Sequence, residues 1–303
     1  MRVVIEIDGG GAKGVIPLTI LKNMEKEIGK PLHEWADLVV STSVGSIIGS
    51  SILIGDKSAE QALEEFLEDV KVIFKPRIRI PIIQPKYSMR TAKKKLAPYL
   101  GGKFLADAKS KFMFTSVDMV TGRTHFFKSW EQADGSLPAL DTVARSFAAP
   151  LYFGSIVDKD NSAVWLDGGT SNNNCPLVES YVEILRQGWT GDTPAHVISL
   201  GCGKTDYSIP FNKAKNYKNI RQVSYYLNPK NGGLARVVAA DTQVCWLQQL
   251  TETSENFSFQ RLQYTFSGKE KKFDGMDKIR YLSEYQQIGE ELSKQVDYSF
   301  IKG

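Results

Sequence analysis

Two short apolar runs, Val3-Val4-Ile5 and Leu38-Val39-Val40, constrain this chain more than any other feature. Neither alternates apolar with polar residues, so each reads as a strand covered on both faces, the pattern of a parallel sheet held between layers of helix. Each run is followed by a turn of small residues that opens a helical pattern, Asp8 to Gly14 after the first and Ser41 to Ser46 after the second. The patterning predicts strands at about 2–7, 38–41, 112–118, 163–166 and 196–200, alternating with helices near 14–28, 44–54, 58–73, 88–99, 176–187 and 276–294. Such alternation implies a three-layer α/β/α fold with a mostly parallel central sheet. Sites in sheets of this kind lie beyond the carboxyl ends of the strands.

At 303 residues the chain could hold two domains, yet no repeat, low-complexity tract or Pro/Gly/Ser-rich linker divides it, so a single domain over 1–303 is expected. Hydrophobic residues at 42% and charged residues at 24% suit a soluble protein with a large core. A net charge of +4 is too mild to argue for a nucleic-acid partner. Cys175, Cys202 and Cys245 are odd in number and lack metal-type spacing, which reads as reduced thiols, with no metal and no cofactor expected. The N-terminal apolar run is too short for a signal peptide, and no stretch reaches about 18 apolar residues. A cytoplasmic protein is the expectation.

Three constellations fall at predicted strand ends. In D-G-G-G-A-K-G, Asp8 to Gly14, the glycines Gly9, Gly11 and Gly14 satisfy G-x-G-x-x-G, but a dinucleotide site also needs an acid at the end of the second strand. That strand ends in Ser41-Thr42-Ser43, and Asp37 lies at its beginning. A Walker loop fails as well, because Lys13 is followed by Gly14. What remains is either a plain tight turn or a run of bare backbone N–H groups aimed at an oxyanion, each donor contributing roughly 3–4 kcal/mol to transition-state stabilisation. The second constellation, S-T-S-V-G at Ser41–Gly45, matches the nucleophile elbow G-x-S-x-G except for Ser41, so Ser43 is either a nucleophile or one serine in a serine-rich loop. The third, W-L-D-G-G-T-S-N-N-N-C-P from Trp165 to Pro176, offers Asp167 as a turn cap or as the base that activates Ser43. Their joint placement favours the base.

Together the motifs resemble the patatin-like phospholipases, whose pattern is D-G-G-G-x-[RK]-G, then G-x-S-x-G, then D-G-[GA]. R-S-F-A-A-P-L-Y-F at Arg145–Phe153, S-L-G-C-G at Ser199–Gly203 and F-D-G-M-D at Phe273–Asp277 are similar too. The resemblance implies a lipid acyl hydrolase with Ser43 as nucleophile and Asp167 as general base in a dyad without histidine. It also implies an oxyanion hole from the N–H groups of Gly9, Gly10 and Gly11, and a phospholipid or lysophospholipid substrate. Two alternatives stay open: a pseudoenzyme that binds lipid or nucleotide, supported only by Ser41, and an ordinary Ser-His-Asp esterase using His196. The order Ser43, Asp167, His196 suits the latter, but His196 stands at the start of its predicted strand, the wrong edge of the sheet.

Lys71 to Ala106 holds ten Lys and Arg and no acid. Ile78, Ile80, Ile82, Ile83 and Tyr87 are interleaved with the cations, and Pro76, Pro81 and Pro85 keep the first half from being a regular helix. The alternatives are a solvated basic loop followed by a surface helix, or an interfacial docking surface for an anionic membrane in which Lys93, Lys94 and Lys95 contact lipid.

Overall fold

The computed structural model describes residues 1–80, 83–189, 193–206, 210–221, 223, 241–254 and 256–301. Its main sheet contains β1 (Arg2–Ile7), β2 (Leu38–Thr42), β3 (Lys111–Asp118), β4 (Arg123–Lys128), β5 (Ile156–Asp158), β6 (Ala163–Asp167), β7 (Ala195–Leu200) and β9 (Phe257–Leu262). The order is β5-β6-β3-β2-β1-β7-β9, with β4 paired to β3. A separate pair joins β8 (Lys204–Thr205) to β10 (Thr265–Phe266). The central strands β3, β2, β1, β7 and β9 are all parallel.

The apolar runs are buried on both faces, as their lack of alternation requires. Val3, Ile5, Ile7 and Val39 face one core, covered by α1 (Val15–Ile28), α2 (Val44–Leu53), α3 (Ala59–Ile73), α4 (Met89–Leu100) and the C-terminal helix Leu282–Ser293. Val4, Leu38 and Val40 face a second core under α7 (Leu177–Arg186) and the helix Asp241–Thr251. Each fully buried Val or Ile contributes roughly 1.5–3 kcal/mol by leaving water, so a charge at Val40 would undo the layer it anchors. The helices begin where capping residues stand: Ser58 and Gln61 form a capping box on α3, and Ser88 Oγ accepts from Thr91 N–H on α4. A single turn, α5 (Gln132–Gly135), precedes α6 (Ala139–Ser146).

β3 positions the site. β4 fills one of its edges from Met113 to Asp118, so both other partners must share the opposite edge. β2 pairs there with Lys111–Thr115 and stops; β6 then takes over antiparallel at Ser116–Asp118. Successive β3 residues therefore hold Thr42, the last residue of β2, and Asp167, the last residue of β6. The two strand ends meet head to head. Within a mostly parallel sheet β6 is antiparallel: the overhang of β3 beyond β2 accepts a strand running the other way and brings Asp167 to the same edge.

Several boundaries differ from expectation. The helix expected at 276–294 begins only at Leu282, after 3-10 turns at Gly268–Phe273 and Ile279–Tyr281. β4, β9, α6 and the helix Asp241–Thr251 lie outside the elements expected from the sequence.

Candidate active site

Because β2 ends at Thr42 and α2 begins at Val44, Ser43 alone makes the turn, at φ 55° and ψ −120°. A left-handed backbone costs a residue with a side chain on the order of 1–3 kcal/mol, so the surroundings must hold it. Ser43 N–H donates to Ser146 Oγ at 3.1 Å, and Ser146 Oγ shares a hydrogen bond with Ser46 Oγ at 2.7 Å. Gly45 is required, since a β-carbon there would lie 2.5 Å from Ile7 O. Ser41, the departure from the glycine pattern, is absorbed: it is fully buried in β2, and its hydroxyl donates to Ser46 Oγ at 3.3 Å.

Ser43 Oγ donates to Asp167 Oδ2 at 2.7 Å. Gly169 N–H donates to Asp167 Oδ1 at 2.8 Å, fixing the other oxygen. Asp167 is 4% exposed. Burial pushes its pKa up to about 6, against the opposing pull of the hydrogen bonds from Ser43 and Gly169, which favour the ionised form.

The glycine loop lies over the serine, for a β-carbon on Gly9 would come within 3.1 Å of Ser43 Cβ. Its donors are not equivalent. Gly9 N–H is occupied by Asn174 O at 2.8 Å and Ala12 N–H by Met276 O at 2.7 Å. Among the described residues no protein acceptor takes the N–H of Gly10 or Gly11. Of the three donors expected from sequence, Gly9 is therefore a wall of the site, and Gly10 and Gly11 are the donors left open.

Asp8, at the start of the loop, is gripped by Arg261 of β9, Nη1 to Oδ1 at 2.8 Å and Nη2 to Oδ2 at 2.5 Å. Arg261 Nη1 also reaches Ser199 Oγ at 2.6 Å and Glu6 Oε2 at 3.4 Å. Burial raises the pKa of Glu6. Glu6, Asp8 and Cys175 bring their ligand atoms within 4.8 Å of one another, yet the guanidinium already supplies the positive charge among them, so this donor set does not fit a metal ion. Ser146 and Asn174 lie inside family-like stretches and could have been singled out from the sequence; Arg261 carries no such signal.

His196 pairs with Val3 at the amino end of β7, about six residues of strand below Ser43, or roughly 20 Å along the strand direction. Its Nδ1 meets Ser258 Oγ at 2.8 Å and its ring stacks on Phe300. Nothing brings it to Ser43. Lys93 pairs with Asp141 at 2.5 Å and Lys95 with Asp69 at 2.9 Å, so of the three lysines expected to meet lipid only Lys94 is exposed and without a salt-bridge partner among the described residues. Neighbouring helices supply acids that the local sequence lacks. Pro81 and Ile82 lie outside the described residues.

The patatin-like phospholipase family profile matches residues 7–179. The chain is similar to the cGAMP-activated phospholipase of Escherichia coli (strain TW11681), at 26% identity over 227 residues, covering 68% of this chain and 63% of that protein. It is also similar to the cGAMP-activated phospholipase of Vibrio cholerae, at 27% identity over 235 residues, covering 68% of this chain and 65% of that protein. The matches thus span just under two thirds of each relative's length. Among solved structures, VipD from Legionella pneumophila is similar with a TM-score of 0.39 and 11% identity, over 94% of this chain and 66% of that one.

Proposed function

The chain belongs to the patatin-like phospholipases, and we propose that it hydrolyses the carboxylic esters of phospholipids or lysophospholipids through an acyl-enzyme on Ser43. The observation that carries this reading is the 2.7 Å hydrogen bond from Ser43 Oγ to Asp167 Oδ2 on an elbow held in a left-handed backbone. Asp167 takes the serine proton as Oγ attacks the ester carbonyl, and returns it to the departing alcohol. Water then attacks the acyl-enzyme with the same carboxylate as base. Gly10 and Gly11 N–H groups and the positive end of α2 receive the oxyanion. A carboxyl pKa near 6 makes Asp167 a stronger base than an ordinary aspartate while leaving it ionised at neutral pH.

The same reading includes a lipid surface. Ile78, Ile80 and Ile83 are exposed, with Lys75 and Arg77 exposed beside them. The segment closes on itself through Arg77 N–H to Lys86 O at 3.1 Å and Gln84 N–H to Ile80 O at 3.1 Å. Its base is joined by Lys86 N–H to Leu151 O, and Leu151 is held at φ 66° with its side chain 60% exposed. Apolar tips among cations fit an anionic bilayer. Among the described residues, no helix is long and apolar enough to cross one.

The decisive experiment measures hydrolysis of a soluble nitrophenyl ester and labelling by a fluorophosphonate in Ser43→Ala, Asp167→Asn and His196→Ala proteins. It is run with and without cGAMP, because the relatives named for that activator leave basal activity an independent variable. Ser43→Ala and Asp167→Asn are expected to lose activity by several orders of magnitude, and His196→Ala to keep it. A His196→Ala protein as inactive as Ser43→Ala would replace the dyad with a triad.

A further inference from the structure

The reaction assigns no role to Phe273–Asp277, yet this segment touches the glycine loop at three points. Met276 O accepts from Ala12 N–H at 2.7 Å, and Asp274 Oδ1 accepts from Lys13 Nζ at 2.6 Å. Met276 also covers Gly11, where an added β-carbon would stand 2.6 Å from Met276 Cβ. Gly11 is at φ 60°, so the chain reverses there, and whatever fixes the following N–H fixes the direction of the two before it. Met276 O takes the Ala12 donor, while the N–H groups of Gly10 and Gly11 keep no protein acceptor among the described residues.

The other end of the segment is anchored. Asp277 Oδ2 accepts from Lys86 Nζ at 2.6 Å and from Tyr87 OH at 2.7 Å, and Phe273 O accepts from Tyr285 OH at 2.6 Å. Tyr87 is buried against Phe74 and Phe153, so this anchor sits on the core. Burial opposes ionisation of Asp277, but the hydrogen bonds from Lys86 and Tyr87 outweigh it and keep the carboxyl below its usual range. Gly275 at φ 145° makes the turn between the two aspartates in a conformation that side chains disfavour.

We propose that Asp274 and Asp277 are positioning residues for the oxyanion hole, holding the strap that aims the Gly10 and Gly11 N–H groups. The proposal rests on reading those two groups as oxyanion donors.

The test uses the full chain and a soluble nitrophenyl ester, which removes any effect of lipid docking. In Asp277→Ala, kcat is expected to fall about 10- to 100-fold while KM stays within about twofold, because a misaimed donor weakens the transition state and leaves ground-state binding alone. Affinity for a trifluoromethyl ketone, whose adduct with Ser43 carries the oxyanion, is expected to fall in the same proportion as kcat/KM. Tyr87→Phe combined with Lys86→Met releases the same anchor without altering the strap, and serves if Asp277→Ala does not fold. An unchanged kcat in either folded protein overturns the proposal, as does a loss of kcat with ketone affinity intact. Ser43→Ala separates the two levels: hydrolysis that survives it means that the underlying reading fails. If Ser43→Ala is inactive while both strap variants are normal, the positioning role alone fails.

Discussion

Gly168 packs so closely on Thr115 that a β-carbon on the glycine would overlap the threonine hydroxyl and lie 2.7 Å from its carbonyl oxygen. Thr115 Oγ1 shares a 2.6 Å hydrogen bond with Thr42 Oγ1, and Thr42 precedes Ser43. The separation of serine and aspartate is thus set by contacts between small residues on the shared edge of β3. Gly168→Ala must push the end of β6 outward, and a shift of an ångström at the reacting groups costs about a hundredfold in rate. The expected result is a kcat loss of that order in a folded protein, read on the nitrophenyl ester. Activity within twofold of wild type would show that the strand end has slack.

The raised pKa of Asp167 predicts opposite effects of pH on activity and stability. The proposed reaction needs Asp167 ionised, so kcat/KM should climb with pH along a limb centred near 6. Folding raises this carboxyl above its ordinary 3.8, so the stability it contributes is full below that value and is lost as pH rises through about 6. At pH 8 the charge costs on the order of 3 kcal/mol. Thermal melts of Asp167→Asn should therefore exceed wild type at pH 8 and converge with it near pH 4. A variant less stable than wild type at pH 8 would contradict the sign.

Much of this arrangement was legible in the sequence because it is local. Uninterrupted apolar runs gave the buried strands, helical patterns near 58–73 and 88–99 gave α3 and α4, and the small residues around Ser43 announced a turn too tight for bulk. What was hidden depends on distant partners. The reversed direction of β6 follows from how far β3 outreaches β2, which no window of sequence contains. Gly9 looks like its neighbours until Asn174 takes its N–H. Arg261, on a strand with weak alternation, gains its place only when β9 lies beside β7 and reaches past it to Asp8.

Ser43 carries backbone strain that a comparison of two inactive proteins isolates. Ser43→Ala and Ser43→Gly both lose the hydroxyl and differ only in the β-carbon. At φ 55° glycine adopts the turn freely and alanine does not, so Ser43→Gly should be more stable by about 1–2 kcal/mol in denaturant titrations. Equal stability would mean that the turn relaxes in the alanine protein, and that Ser146 and Gly45 hold it less firmly than their contacts indicate.

Lipid docking is best tested at the exposed isoleucines. Replacing Lys93, Lys94 and Lys95 by Glu would set like charges against Asp141 and Asp69 and disturb α4, confusing binding with folding. Ile78, Ile80 and Ile83 make no such pairs, and each buries roughly 1.5 kcal/mol or more of apolar surface if it enters a bilayer. Ile78→Ser, Ile80→Ser and Ile83→Ser together should cut sedimentation with anionic vesicles about a hundredfold or more and spare the nitrophenyl ester. Lys75, Arg77 and Arg79 add about 1 kcal/mol each near an anionic leaflet, screened within a Debye length of about 8–10 Å, so wild-type binding should weaken steeply with salt. Vesicle binding that is indifferent both to the triple variant and to salt would place the lipid contact on another face.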